Sequence, residues 1–322
     1  MGAKIDRMAY YLPDSVLSNT DLASINSGWK PEKVEKKVGI RNRHIAKKGE
    51  TALDLAEQAA RELLVNANPD EIDFILFCTQ SPEYLLPTSA CILQDRLGFR
   101  TDIGALDFNL GCSGYIYGLA LSKGLINSGL CKKVLLLTGE TYSKFLSPDD
   151  ISNRSIFGDA ASATLICHSE DEHLGEFEFG TDGRGADNLI VNNLTARESY
   201  HSDSNAKPEL FMNGPEIFNF TIDMVPPLVK KVLAKNKLNK DEIDYTILHQ
   251  ANKYILEFLI DLVGLQKDKC HIDMLEYGNT VSNTIPIALK DAIDRGIVHA
   301  GDKVLLTGFG VGYSWGSTII TI

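Results

Sequence analysis

No apolar run in the 322-residue chain approaches the roughly 20 residues that a membrane-spanning helix requires. The N-terminal MGAKIDRMAYYLP lacks the pattern of a signal peptide, so the cytoplasm is the expected compartment. Cysteine is sparse. The six (Cys78, Cys91, Cys112, Cys131, Cys167 and Cys270) include no C-x-x-C pair, and no histidine cluster has zinc-ligand spacing. Neither a disulfide framework nor a structural metal is expected, and the thiols are read as reduced. Basic charge is also short: 32 Lys and Arg stand against 43 Asp and Glu, a net charge of −11, which argues against general nucleic-acid binding. The locally basic stretches 30–48 and 230–240 read as solvated faces.

What is present is a regular alternation. A strand is expected over 4–11, a polar helix over 18–27, and a mixed basic surface cover over 29–45. Residues 50–66 carry a helical period through Leu53, Ala56, Ala60 and Leu64, with Thr51 as N-cap. A buried strand and loop (70–87), a helix (89–97), an apolar run (103–108), a helix after Cys112 and a buried strand (132–140) follow. A loop runs on to Asp150, and a strand of small residues begins near Ser155. Such alternation predicts an α/β fold with largely parallel sheets buried on both faces.

The pattern is duplicated. DEIDFILFC at 70–78 returns as DEIDYTILH at 241–249, and KVLLLTG at 133–139 returns as KVLLTG at 303–308. Between these anchors Gly111-Cys112-Ser113 corresponds to Gly278-Asn279-Thr280. Three matches in one order at nearly one spacing indicate two equivalent halves, 1–170 and 171–322, the second opening with charged SEDEHLGEFE and a polar, glycine-containing insertion. In such a double unit, equivalent positions face each other across a pseudo-twofold axis. Cys112 and Asn279 then converge, and His249 occupies the strand-end position that Cys78 holds in the first half, where α/β sheets place ligands.

Cys112 sits where an apolar run meets a glycine-flanked turn and the start of a buried helix. The first-turn N–H groups of a helix favour a thiolate, and cysteines so placed titrate at roughly 3.5 to 7.5. The flanking glycines would let a substrate carbonyl approach backbone N–H donors. A buried structural cysteine is the competing reading. A Cys with a His and an Asn suggests acyl transfer through a thioester intermediate.

These residues also carry a resemblance. GCSGYIYGL, IFGDAASA, LHQANKYI, YGNTVSNTIP and GFGVGYSWGS resemble the motif series of β-ketoacyl-acyl-carrier-protein synthase III, within the thiolase-like fold. The resemblance implies two βαβαβαββ halves in a five-layered α/β/α/β/α arrangement and a homodimer. It implies that Cys112 is acylated by an acyl-CoA, and that His249 and Asn279 hold the thioester carbonyl of a malonyl carrier and stabilise the enolate formed on decarboxylation. The backbone N–H groups of Cys112 and Val311 would form the other oxyanion hole. CoA and the phosphopantetheine arm of acyl carrier protein are then substrates, and no metal or redox cofactor is implied.

The resemblance makes Leu86, Phe157, Phe309, Arg154 and Lys37 candidates for the acyl and CoA tunnel, with core packing as the competing role of the two phenylalanines. Lys253 is the candidate for carrier-protein docking. Several positions depart from the family pattern. Lys33 and Val34 stand where a tryptophan is usual, with Trp29 four residues upstream, and Arg154 lies only three residues before Phe157. Asn219 replaces a usual lysine, Lys253 a usual arginine, and Leu86 a usual phenylalanine, the last suggesting a longer or branched starter. A non-elongating acyltransferase and a silent carrier-binding subunit are the alternatives to a condensing enzyme.

Overall fold

The computed structural model describes residues 2–25, 28–65, 67–192 and 208–322. In chain order the first half comprises β1 (Gly2–Tyr11), β2 (Ser15–Ser18), α1 (Asn19–Ile25), α2 (Pro31–Val38), β3 (Asn42–Ile45), α3 (Ala52–Leu63) and β4 (Phe74–Cys78). It continues with α4 (Ser89–Arg96), β5 (Gly104–Phe108), α5 (Gly114–Asn127), β6 (Lys133–Glu140), α6 (Ile151–Arg154) and β7 (Ala160–Ser169). The second half holds β8 (Leu174–Thr181), β9 (Leu189–Asn192), β10 (Glu209–Met212), α7 (Gly214–Lys235), β11 (Tyr245–Leu248) and α8 (Lys253–Val263). It ends with α9 (Thr284–Asp294), β12 (Lys303–Gly310) and β13 (Ser314–Thr321).

Two main sheets result. The first runs β1-β7-β6-β4-β5 and the second, read in the matching direction, β8-β13-β12-β11. In each, the central strands are parallel (β4 with β6, β11 with β12) and the last strand of the half is antiparallel to its neighbours. The repeated strings therefore take equivalent seats: DEIDFILFC gives β4 and DEIDYTILH gives β11, while KVLLLTG and KVLLTG give β6 and β12.

The apolar runs are continuous because both faces of these strands are covered. In β4, Ile75 and Phe77 point to an outer core with Leu53, Ala56, Ala59 and Ala60 of α3. Leu76 points the other way, to a central core shared with Tyr115, Ile116 and Leu119 of α5 and Ile285, Ala288 and Leu289 of α9. Ile247 and Leu306 of the second sheet close that central core from the opposite side. Beyond the second sheet, Val225, Val229 and Val232 of α7 and Leu256 and Leu259 of α8 pack on Leu305 and Ile319. Five layers follow, with α5 and α9 in the middle. Gly118 sets the spacing there: a Cβ on it would lie 2.5 Å from Leu136 Cδ1.

Among the described residues the second sheet is one strand short of its counterpart. Where an equivalent of β5 would lie, Cys270 makes a single parallel bridge to Thr246 and His271 N donates to Thr246 O at 2.9 Å. The ladder then passes to a side chain. Gln250 Nε2 donates to His271 O (3.1 Å) and Gln250 Oε1 accepts from Asp273 N (3.1 Å), which satisfies the backbone without a neighbouring strand.

Thr51 caps α3 as expected. Its hydroxyl accepts from Asp54 N (3.2 Å) while Asp54 Oδ2 accepts from Thr51 N (2.8 Å), a reciprocal capping box. Thr51→Ala is expected to lower stability by about 1 kcal/mol, read as a shift in the urea midpoint without a change in slope.

Four local expectations change. The 29–45 stretch is not merely a cover: it forms α2 and β3, and Ile40 and Arg43 are fully buried, with Arg43 Nη1 donating to Asn19 Oδ1. The 18–27 helix is α1, beginning at Asn19, and residues 26–27 lie outside the described residues. The loop after β6 contains a 3-10 turn at Tyr142–Phe145. The polar insertion expected over 181–209 forms a turn at Gly183–Asn188 and the β9–β10 pair, and its residues 193–207 lie outside the described residues.

Candidate active site

Cys112 precedes α5 by two residues, in the turn leaving β5. That turn is seated on the end of β4: a Cβ on Gly111 would lie 2.6 Å from Gln80 Oε1, and one on Gly114 would collide with Cys78 Sγ. From the other half, β12 presses on the same turn. A Cβ on Gly308 would lie 2.8 Å from Cys112 O, and one on Gly310 would lie 2.9 Å from Cys112 Cβ and 3.0 Å from its Sγ. Only glycine lets the β12 backbone approach the thiol this closely. The backbone N–H groups of Cys112 and Val311 lie near Sγ and favour its charged form.

The enclosure reverses the expected titration of the thiol. Burial, with a smaller contribution from the Glu140 carboxylate, pushes Cys112 up to about 12, and the two backbone N–H groups offset only part of this. The resting nucleophile is therefore a neutral thiol. The favourable field of a helix start is outweighed because Cys112 is only 7% exposed, and a thiolate there loses its hydration.

His249 extends β11 by one residue, its N–H bonded to Thr307 O at 2.8 Å. The ring is buried, and burial lowers its pKa to about 3, so the imidazole is neutral. Nδ1 lies 2.7 Å from Thr284 Oγ1, which also lies 3.2 Å from Val281 O. The edge of Phe309 meets the ring at a centroid distance of 5.5 Å.

Asn279 is docked onto the first half. Its N–H donates to Ile156 O (2.8 Å), and its carbonyl accepts from Gly158 N (3.0 Å), a parallel bridge with Phe157. Gly278 has φ +72° and passes against Ile156 O, where a Cβ would lie at 2.7 Å. The Asn279 carboxamide is oriented by its neighbours: Oδ1 accepts from Val281 N (2.9 Å), and Nδ2 reaches Ala251 O only at 3.5 Å. Val281 has φ +58°, a strained conformation for a β-branched residue, costing about 1–3 kcal/mol. That strain fixes the N–H that holds Oδ1, leaving the carboxamide N–H groups weakly engaged.

The segments of the three residues thus adjoin: Cys112 packs with Phe157 and Val281 and against Gly310, the His249 ring lies against Phe309, and the Asn279 carboxamide lies near Ala251. Phe157 packs in one apolar cluster with Cys112, Tyr142, Phe145, Leu189, Leu210 and Val281, with Val311 at its margin. A cavity of about 240 Å³ opens beside this cluster, bounded by Gln80, Tyr142, Phe145, Leu189, Leu210 and Val311. Among the described residues no group of three or more His, Cys, Asp or Glu is arranged to hold a metal, and no helix is long and apolar enough to cross a membrane.

Comparison with known proteins decides the family. Residues 106–183 match the 3-oxoacyl-[acyl-carrier-protein (ACP)] synthase III family, and residues 233–322 match its C-terminal counterpart. The beta-ketoacyl-[acyl-carrier-protein] synthase III of Lactococcus lactis subsp. cremoris is 36% identical over 328 residues, covering 99% of both chains. The chain belongs to the β-ketoacyl-acyl-carrier-protein synthase III family. A crystal structure of a 3-oxoacyl-(acyl-carrier-protein) synthase III superposes with a TM-score of 0.95 at 45% identity, covering 100% of both chains. That of a 3-oxoacyl-(acyl-carrier protein) synthase from Burkholderia xenovorans LB400 gives 0.92 at 34%, covering 100% of this chain and 94% of that one. The fold is thiolase-like and the protein is an acyltransferase of the condensing class.

Other candidates lie outside the cluster around Cys112 in this synthase III chain. Leu86 is 83% exposed, in the loop between β4 and α4. Lys37 is exposed on α2, and Arg154 ends α6 with Nη1 donating to Pro148 O (2.6 Å). Lys253 begins α8, with its Cβ seated on Gly39, and shares a cleft of about 680 Å³ with Lys36, Glu32, Glu35, Asp273 and Met274. Trp29 is half-buried with its indole N–H unpartnered, and Asn219 is exposed on α7. The sequence reading missed Tyr142, Leu189 and Leu210 as cavity walls, and Glu140 altogether. Glu140 had a legible signal: an acid ending the strand that carries the apolar run Val134–Leu137, where the repeat has Gly310.

Proposed function

We propose that this synthase III loads an acyl group from an acyl-CoA onto Cys112 and condenses it with a malonyl-acyl carrier protein to give a 3-oxoacyl product in fatty-acid initiation. The observation that carries this reading is Sγ beneath the N–H groups of Cys112 and Val311, at the seam where the His249 and Asn279 segments meet. Residues 1–170 then supply the nucleophile, and 171–322 supply the groups that stabilise the enolate.

In loading, Sγ attacks the thioester carbonyl and its proton passes to His249 Nε2. This requires a neutral ring whose proton is on Nδ1, donated to Thr284 Oγ1, while the Thr284 hydroxyl donates to Val281 O. The oxyanion is held by the Cys112 and Val311 N–H groups; it collapses to acyl-Cys112, and the CoA thiolate leaves with the proton. In condensation the malonyl C–C bond breaks, CO₂ departs, and the enolate oxygen is held by His249 Nε2–H and Asn279 Nδ2–H. Between the two steps the ring gives up its Nδ1 proton to solvent and takes one from solvent on Nε2, and the Thr284 hydroxyl then donates to Nδ1. The enolate carbon attacks the acyl carbonyl, expelling the Cys112 thiolate, which is reprotonated from solvent.

The acyl chain would occupy the cavity beside Tyr142, with Phe157 as a wall. The pantetheine arms would reach Cys112 past Phe309, and Lys253 would meet the carrier protein at the mouth. A second copy of the chain would complete the enzyme, with exposed Leu86 facing its partner, and the compartment would be the cytoplasm. Family membership does not favour the non-elongating transferase or the silent subunit.

The test is intact-protein mass spectrometry with a panel of acyl-CoAs, followed by malonyl-carrier protein. An adduct on the Cys112 peptide that is discharged as 3-oxoacyl-carrier with CO₂ is the expected result. An adduct that survives malonyl-carrier overturns the condensing step.

A further inference from the structure

One buried acid next to the site has no part in the steps above. Glu140 ends β6 at 0% exposure, and no lysine, arginine or histidine pairs with it among the described residues. Because β4 and β6 are in parallel register, with Cys78 opposite Thr138, residues 80 and 81, shortly beyond β4, lie against Glu140. Gln80 N donates to both carboxyl oxygens (3.1 and 3.2 Å) and Ser81 Oγ donates to Oε2 (2.9 Å). From the other half of the chain, Ser282 Oγ approaches Oε1 at 3.3 Å.

Each arm leads to the site. Gln80 Oε1 accepts from the Tyr142 hydroxyl (2.5 Å) and abuts Gly111 of the nucleophile turn, while Gln80 Nε2 donates to Asn109 Oδ1 (2.9 Å). Ser282 lies in the Val281–Asn283 turn that follows Asn279. We propose that Glu140 is the positioning residue that locks the Cys112 turn and the Asn279 loop into one register, its carboxyl gripping Gln80 and Ser81 on one side and Ser282 on the other. This rests on the condensing reading above, in which Cys112 and Asn279 act on successive steps.

The carboxyl also faces Cys78, Cys112, Tyr142 and Asp159, all groups whose charged forms are negative, and none offsets its charge. Burial pushes it up to about 8, so it ionises within an accessible range. Its negative charge opposes formation of the Cys112 thiolate. Below about pH 8 the carboxyl is neutral and the thiol ionises more readily; as the carboxyl ionises around pH 8 the rise in thiolate slackens, and above it the rise resumes from a lower level.

The experiment measures iodoacetamide alkylation of the Cys112 peptide between pH 6.5 and 10, in wild type, E140Q and S282A, beside acyl loading and malonyl-driven condensation. Wild type is expected to show a downward bend in log rate near pH 8. E140Q is expected to lose the bend and to alkylate about threefold or more faster above it. S282A keeps the bend and loads normally, but condenses about tenfold more slowly, since only the Asn279 side is released. A structural role alone would not move the bend. Its persistence in E140Q, or a S282A enzyme that condenses at the wild-type rate, overturns the proposal. A wild type that alkylates with the bend yet never condenses overturns the condensing reading, and with it the register role, while the field of Glu140 on Cys112 stands.

Discussion

Cys112→Ala abolishes the acyl adduct and lowers condensation by on the order of 10⁴-fold or more, while the protein remains folded. The size of the effect follows from what is left. The Val311 N–H, the Asn279 carboxamide and the His249 ring still surround the vacancy, so malonyl-carrier still decarboxylates slowly, but there is no acyl-enzyme for the enolate to attack. Alanine keeps the Cβ and backbone that pack against Gly308 and Gly310, so the turn retains its seat. The check is paired: intact mass after acyl-CoA, and CO₂ release from malonyl-carrier. Persistent adduct at another of the six cysteines would mean that the nucleophile has been misassigned.

Asn279→Ala and His249→Ala separate the two half-reactions. Asn279→Ala removes one of two donors to the enolate and is expected to lower condensation on the order of 10²-fold while loading stays within a few-fold of wild type. His249→Ala is expected to depress both steps, because in the proposed mechanism the same ring takes the Cys112 proton and later donates to the enolate. Thr284 makes this double duty possible, since its hydroxyl can donate either to Nδ1 or to Val281 O. Single-turnover measurements of loading and condensation on each variant read the difference; a His249→Ala enzyme that loads at the wild-type rate would remove the ring from the first step. The pH dependence of stability gives an independent reading of this ring. Its pKa falls from 6.5 to about 3 on folding, so the unfolded chain binds the additional proton between those values. Stability therefore drops as pH falls from 6.5 towards 3, and His249→Ala makes that part of the profile flatter.

The frame of the molecule was legible because its signals are local and repeated. Strands buried on both faces read as apolar runs, helices between them as small-residue periods, and the two copies of the β4 and β6 strings locate each other. From that duplication alone Cys112, His249 and Asn279 were expected to converge; in the structure Cys112 packs in a cluster with Val281 of the Asn279 loop, and Asn279 Nδ2 lies 3.5 Å from Ala251 O of the His249 segment. The properties missed were those set by residues distant in the chain. The raised pKa of Cys112 comes from β12 closing over a turn some two hundred residues earlier, which no reading of the Gly-Cys-Ser-Gly string contains. Arg43 looked like one more surface cation in a basic stretch, yet Asn19 and the Gly278 turn bury it. Beside β11, where the first sheet has a fifth strand, the Gln250 side chain bonds the backbone of His271 and Asp273, a contact no local pattern announces.

The middle layer has a thermodynamic consequence. Because α5 and α9 fill one core closed by Leu76 and Leu136 on one side and Ile247 and Leu306 on the other, neither half possesses a complete interior of its own. Separated, each would expose one whole face of its sheet and helix to water. The two halves, for all their resemblance, therefore melt as one cooperative unit, and the seam that carries the chemistry lies within its most indivisible part.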